Sequence, residues 1–380
     1  HSLRMSAEQP KQPRPTNYWE YIRVDDLLSL QGGVDRDEAQ VKNDEVLFIV
    51  VHQVYELWFK LVLRELRQAR ALFRQPRVAE QELSGAVRSL KRATTVLRAS
   101  LPHWEVMETL TTRDFLAFRD KLFPASGFQS AQLRQIEIVL GLEESERIGL
   151  GASGEQGYLA ALRAHDGAES TALRAVQKEL EGGLSLKHAI DEWLHRTPID
   201  GVDDKHPESA RELDAFLAKF LEAHAAEGRR TCELACAAAY TEEERQALRG
   251  RYAREHESVR AFFQPSEAEG GARRRRIRAA ILFIESYREL PLLSWPREVI
   301  DALVEFEQLF VIFRQRHARM VERMIGRRTG TGGSAGVDYL DHTALKYRVF
   351  RDLWAVRSLQ VRKDGLPALT QSDFYEFRNG

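Results

Sequence analysis

The sequence predicts an all-α fold, its helices packed as a bundle, and three observations carry that prediction. Apolar residues recur at three- and four-residue spacing through most of the 380 residues. No segment alternates with period two over the length of a strand. No strand–helix–strand rhythm appears either.

Taken in order, residues 1–16 are polar and proline-bearing and predict a flexible tail, with residues 1–4 reading as an addition ahead of a natural start at Met5. The first long helix is expected over 44–70. Phe48, Val51, Tyr55, Trp58 or Phe59, Val62 and Leu66 repeat along it, and Asn43 stands ahead as its N-cap. The same periodicity predicts helices over 80–100, 112–122, 129–142, 158–164, 169–195, 208–226, 228–262, 276–287, 297–326 and 338–356. Linkers fall at 150–157 (LGASGEQG), 197–208 (TPIDGVDDKHPE) and 264–272 (QPSEAEGGA). They divide the chain into a core of 17–196 and 276–360, a charged helical insertion of 197–275, and a C-terminal tail of 361–380. The basic run Arg273–Arg276 has no interleaved aromatics and reads as a solvated helix start.

Charge narrows the function classes. With 56 basic and 57 acidic residues the net charge is -1, so no nucleic acid and no anionic membrane is expected as a partner. No apolar run approaches the roughly 18 residues of a membrane span, and no signal-peptide core opens the chain. A cytoplasmic protein is expected. Its only cysteines, Cys232 and Cys236, are four apart with no further cysteine or nearby histidine to complete a metal site, and they read as reduced thiols.

Three stretches carry candidate chemistry. In RQRHARMVERMIGRRTGTGGSAG (314–336), His317 shares a helix face with Phe306, Phe310, Phe313, Met320 or Val321, and Met324. Such a residue is either a satisfied core histidine or a neutral imidazole of the kind that ligates a haem iron. Gly326 suits the C-cap of that helix. The loop GTGGSAG also matches G-x-G-x-x-A, but a dinucleotide fingerprint needs a strand before it, and here an arginine-rich helix precedes. What remains is a loop whose Thr331 and Ser334 hydroxyls and backbone N–H groups would close over a polar substrate group, or a plain connection.

In NDEVLFIVVHQVYELWFK (43–60), Phe48 and His52 are four apart and share a face, which suits either core packing or an aromatic heterocycle bearing an N–H. In RDFLAFRDKLFPASGFQS (113–130), Phe115 and Arg119 are likewise four apart. Arg119 offers a bidentate grip on a carboxylate or a surface ion pair. The small residues of PASGFQS allow a flat group to approach the backbone closely.

With NYWEYIRVDDLLSLQ (17–31) added, these stretches keep the order and spacing of the tryptophan 2,3-dioxygenase family, which the chain resembles from about Asn17 to Leu359. The insertion and the phrase WLHRTP (193–198) are more like the longer animal-type members. The resemblance implies haem b, active as Fe(II), buried between helices, with His317 as the proximal iron ligand. Trp104, Ser126, Gly127 and Val321 would line the haem.

For the substrate, it implies that Arg119 binds the carboxylate and that Thr331 contacts the amino-acid end. Phe48, Ile49, Val50, Val51, His52 and Phe115 would form the distal pocket, His52 bonding the indole N–H and serving as the catalytic histidine. Tyr18 and Tyr21 would reach a neighbouring subunit's site in a homotetramer.

The implied reaction is cleavage of the indole C2–C3 bond of L-tryptophan by O2, giving N-formyl-L-kynurenine and opening the kynurenine route of tryptophan breakdown. The rivals are a relative that oxygenates a modified tryptophan or another aromatic amino acid, and a non-catalytic haem sensor. Three departures bear on substrate choice: Ala335 stands for Ser in the loop, Asp341 for an arginine after it, and Trp19 for Gly in the N-terminal motif.

Overall fold

The structure is a computed structural model that describes residues 16–123, 127–148, 157–163, 169–328, 330 and 336–376. Two short turns, α1 (Tyr18–Tyr21) and α2 (Val24–Leu27), lead to α3 (Asn43–Phe73) and α4 (Glu80–Ser100). Then follow α5 (His103–Met107), α6 (Thr112–Leu122), α7 (Ala131–Leu140), α8 (Gly157–Ala161), α9 (Thr171–Glu181) and α10 (Leu186–Arg196). The second half holds α11 (Ser209–Ala238), α12 (Glu242–Phe262), α13 (Gly271–Ser286), α14 (Ser294–Ile325), α15 (Val337–Lys346) and α16 (Arg351–Arg357). Among the described residues the only β feature is an isolated bridge between Ile199 and Val202. The all-α expectation is met.

Helix boundaries shifted where local chemistry outweighed periodicity. The stretch expected as one helix over 169–195 breaks at Gly182–Gly183. Gly183 takes φ +87°, and the Ser185 hydroxyl then caps α10 by accepting the His188 N–H at 3.3 Å. The expected helix 338–356 breaks because the buried Glu307 carboxylate accepts the N–H groups of Val349 (2.5 Å) and Phe350 (3.0 Å). Conversely, α11 runs through Gly228, whose cost of about 1 kcal/mol the helix absorbs. It ends just before Thr241, which exchanges capping bonds of 3.1 Å with Glu244. Lys42 rather than Asn43 is the N-cap of α3, a shift of one residue.

The core forms around α3, α4 and α14. A six-residue connection makes α3 and α4 antiparallel neighbours. α14 runs parallel to α4, since Lys91 pairs with Glu298 at 2.6 Å and Arg98 with Glu305 one heptad further along both helices. Val62, Leu66, Phe73, Leu90, Leu97, Phe306 and Phe313 fill the space between, each nearly inaccessible to solvent. α7 and α10 cover the remaining flank of α3.

α3 is the one described helix long and apolar enough to cross a membrane. This differs from the expectation of no span-length apolar run, for Glu56 and Lys60 lie within the helix without removing its overall apolarity. In the fold its Val51–Tyr55–Phe59–Leu66 face is core.

The basic run does open a helix, α13, with Arg273 exposed, but its side chains are also engaged by the protein. Arg273 meets Glu192, Arg274 meets Asp191 and Asp352, and Arg275 meets Asp214. Arg276 is buried against the carbonyls of His195, Thr197 and Val202. Cys232 and Cys236 are free thiols with sulfurs 3.9 Å apart, and no described group of three or more His, Cys, Asp or Glu could hold a metal.

Candidate functional site

A cavity of about 780 Å³ opens between α3, α5, α6, α14 and α15, within the range of small-molecule and cofactor sites. Its wall is chiefly apolar and brings together residues that are far apart in sequence: Phe48, His52, Trp104, Phe115, Arg119 and His317. Local packing explains why they converge. Phe48 of α3 lies 5.8 Å from Phe115 and 5.7 Å from Phe118 of α6, so aromatic contacts hold the two helices together at the cavity. The buried carboxylate of Glu45, one turn before Phe48, accepts from Lys121 at 2.9 Å. On the opposite side, Arg316 of α14 forks onto Glu108, just after α5.

His317 is half-buried in the cavity wall, against the stacked rings of α3 and α5. Trp104 lies parallel to it (centroids 4.9 Å, planes 12° apart), and Tyr55 stacks on the other face of Trp104 at 4.1 Å. The Tyr55 hydroxyl donates to the Ser100 carbonyl at 2.9 Å, which locks the base of the stack. Burial, the facing His52, and the guanidiniums of Arg314 and Arg134 push the His317 pKa down to about 4, so its ring is neutral at pH 7. His317 makes no hydrogen bond with a described residue, and the buried indole N–H of Trp104 has no described partner.

These two orphaned groups on one wall of a large apolar cavity fit a flat prosthetic group held by an axial imidazole and a polar edge. The residues present therefore suit haem.

His52, across the cavity, is set up differently. Its Nδ1 lies 2.7 Å from the Phe48 carbonyl, an obligate acceptor, so Nδ1 carries the proton and Nε2 is the lone-pair nitrogen. Burial lowers its pKa, against the opposing effects of that hydrogen bond and of Glu56, and keeps the ring neutral. Phe48 rests on it at 4.1 Å.

Of the residues implied by sequence, Phe48, Ile49, His52, Phe115, Arg119, Trp104, Gly127, Val321 and His317 line the cavity. Val50 and Val51 do not: helical rotation turns Val50 outward to solvent and Val51 into the core. Tyr18 and Tyr21 are also away from the wall, 76% and 77% exposed. Ser126 and Thr331 lie outside the described residues. Sequence reasoning missed Leu27 and Leu30, which reach the wall from the N-terminal segment, and Tyr339 and Thr343 of α15. The four-residue spacing of the last pair was the available signal.

An all-α bundle enclosing an imidazole-bearing apolar cavity has the form in which helical proteins build ligand and cofactor sites. The comparisons narrow it. The family model for tryptophan 2,3-dioxygenase matches residues 5–360. The tryptophan 2,3-dioxygenase of Sorangium cellulosum is 55% identical over 367 residues, covering 95% of this chain and 87% of that protein. Tryptophan 2,3-dioxygenase 2 of Ralstonia nicotianae is 51% identical over 369 residues, 96% and 98% of the two chains. A tryptophan 2,3-dioxygenase-like protein of Xanthomonas campestris pv. campestris is 48% identical over 274 residues, 70% of this chain and 98% of its own.

The chain belongs to the tryptophan 2,3-dioxygenase family. The Sorangium and Ralstonia relatives match it nearly end to end.

Proposed function

We propose that the chain binds haem b through His317 and, with the iron as Fe(II), inserts both atoms of O2 across the indole C2–C3 bond of L-tryptophan, releasing N-formyl-L-kynurenine. The observation that carries this reading is the pairing across one cavity of an unbonded, neutral imidazole on α14 with a second imidazole on α3 whose Nε2 is an acceptor. The haem, when bound, supplies the oxygen chemistry.

The chain supplies orientation and a dry site. Phe48, Phe115 and Ile49 form an apolar wall for the indole, and Nε2 of His52 accepts its N–H. With its basicity depressed by burial, His52 suits an orienting acceptor better than an obligatory base. The Arg119 guanidinium donates to the substrate carboxylate, and Thr331 contacts the amino-acid end. Holding the indole edge in reacting geometry is worth several kcal/mol of barrier, on the order of 7–11 in the best cases.

Trp104, Gly127 and Val321 would line a bound haem, the role that the family resemblance also gives to Ser126. The assembly is a homotetramer in which the N-terminal segment completes a partner's site. The exposed run of Tyr18, Trp19, Tyr21, Ile22 and Leu28 supports that, as a monomer has no use for such a patch. The rival with an altered substrate gains nothing from Asp341, which is held by Arg319 at 2.5 Å and does not line the cavity.

Anaerobic reconstitution with haem, followed by tryptophan and O2 and mass spectrometry of the product, tests the whole reading. A gain of two oxygen atoms is expected. A gain of one indicates a monooxygenating relative, and a haem spectrum without turnover indicates a sensor. His317→Ala loses stoichiometric haem and activity together; a normal haem spectrum in that variant refutes the ligand assignment.

A further inference from the structure

Behind the cavity wall, three arginines surround one carboxylate. Glu137 of α7 accepts from Nη1 of Arg134, one turn earlier, at 3.1 and 2.9 Å. It also accepts from Nη1 of Arg147 at 2.6 Å and from Nη2 of Arg314 on α14 at 2.5 Å. All four side chains are buried. A buried ion pair needs one arginine, and each further charge costs several kcal/mol of desolvation. Nor is the surplus fully bonded: Nε of Arg134, Nε of Arg314 and Nη2 of Arg147 have no partner among the described residues.

The cluster is also polarised. Arg134 and Arg314 reach the wall of the large cavity, whereas Glu137 does not. Glu137 lies instead beside a small separate void behind Arg314, together with Glu307. Glu307 is engaged by the N–H groups of Val349, Phe350 and Trp354. Glu144 pairs with Arg147 alone of the three arginines, from the solvent side, and also accepts from the Tyr158 hydroxyl at 3.2 Å. The positive face of the cluster is therefore turned to the cavity. Arg314 stands three residues before His317 on α14, and its guanidinium is pinned over the rings of Phe310 (4.5 Å) and Tyr347 (4.9 Å).

Resting on the haem reading above, we propose that Arg314, seconded by Arg134, is a positioning charge in the cavity wall next to His317, which would favour Fe(II) over Fe(III) in a haem held there. Oxidation of the iron adds one positive charge to the site. A fixed cation in a low-dielectric interior opposes that addition and is scarcely screened by salt. The reaction needs the reduced metal to meet O2, so the surplus of arginine has a use that the fold alone does not give it.

The test is the midpoint potential of the haem-loaded protein, read by spectroelectrochemistry. Arg314→Met is expected to raise the Fe(III)/Fe(II) ratio at a fixed potential by about tenfold, a downward shift of about 59 mV for one electron. Arg134→Met should shift the same way, while Arg314→Lys, which keeps the charge, stays near the parent. A parent-like potential in both methionine variants overturns the proposal, and so does a lysine variant shifted as far as Arg314→Met. If Arg314→Met fails to fold or take haem, Arg134→Met decides alone. A parent protein that takes up no stoichiometric haem shows no redox wave in any variant; that outcome removes the haem reading as well, and is distinguishable on that ground.

Discussion

Trp104 is the side chain whose replacement tests the site most directly. It is 4% exposed and stacked between Tyr55 at 4.1 Å and His317 at 4.9 Å, with Phe313 at 5.6 Å on its edge. Trp104→Ala removes an almost fully buried aromatic, a change that typically costs about 3–5 kcal/mol. Against a total stability of about 5–15 kcal/mol, that is a large fraction.

Trp104→Phe behaves differently. It keeps a ring in the stack and discards an indole N–H that has no described partner, so no protein hydrogen bond is lost. The apo-protein of Trp104→Phe is expected within about 1.5 kcal/mol of the parent, as for other volume-tolerant core exchanges. Its haem affinity should nevertheless fall, because the lost donor is one that a bound group would engage. Urea denaturation of each apo-protein gives the stability, with an unchanged m-value as the control. Haem titration gives the affinity. A Trp104→Ala cost below about 1 kcal/mol refutes the packing argument, and unchanged haem affinity in Trp104→Phe refutes the role of the orphaned N–H.

Other perturbations are read as simply. Arg119→Leu should weaken tryptophan binding by roughly 10- to 1000-fold, the worth of a charge-assisted pair in a closed pocket, while indole without the amino-acid tail is nearly indifferent. Equal losses for both compounds mean that Arg119 acts through the fold. Deleting residues 1–22 should leave a folded, haem-binding protein with reduced tryptophan affinity; full activity, or an unfolded product, argues against a shared site.

The acid limb of stability tests Glu137. Burial raises its pKa, but Arg134, Arg314 and Arg147 outweigh that and hold it at about 2, below the ordinary 4.5. A depressed carboxylate contributes fully above its unfolded pKa and loses that contribution as pH falls toward its folded one. The stabilising contribution of ionised Glu137 is therefore expected to be lost as pH falls from about 4.5 toward 2. Glu137→Gln should be destabilised near neutrality and should lack that component of the acid-dependent slope. A parent-like slope in the variant counts against the assignment.

Sequence by itself determined the helical class, most helix positions, and several of the side chains that line the cavity. It did so because helix periodicity is local: Phe48 and His52, Phe115 and Arg119, and Phe313 and His317 are each four apart and must share a face. Motif order added the family, which local spacing alone left open for each histidine.

What only the tertiary structure decided is which faces meet. The break at Val349–Phe350 depends on Glu307, more than 40 residues away, and the pairing of Arg273, Arg274 and Arg275 depends on acidic partners on α10, α11 and α16. Val50 and Val51, adjacent to the cavity-lining Ile49, leave the wall through rotation about α3. The stack of Tyr55, Trp104 and His317, and the three arginines around Glu137, each join separate helices. Such contacts are set by packing between elements, whose energy depends on the whole core and leaves no short-range trace in the order of residues.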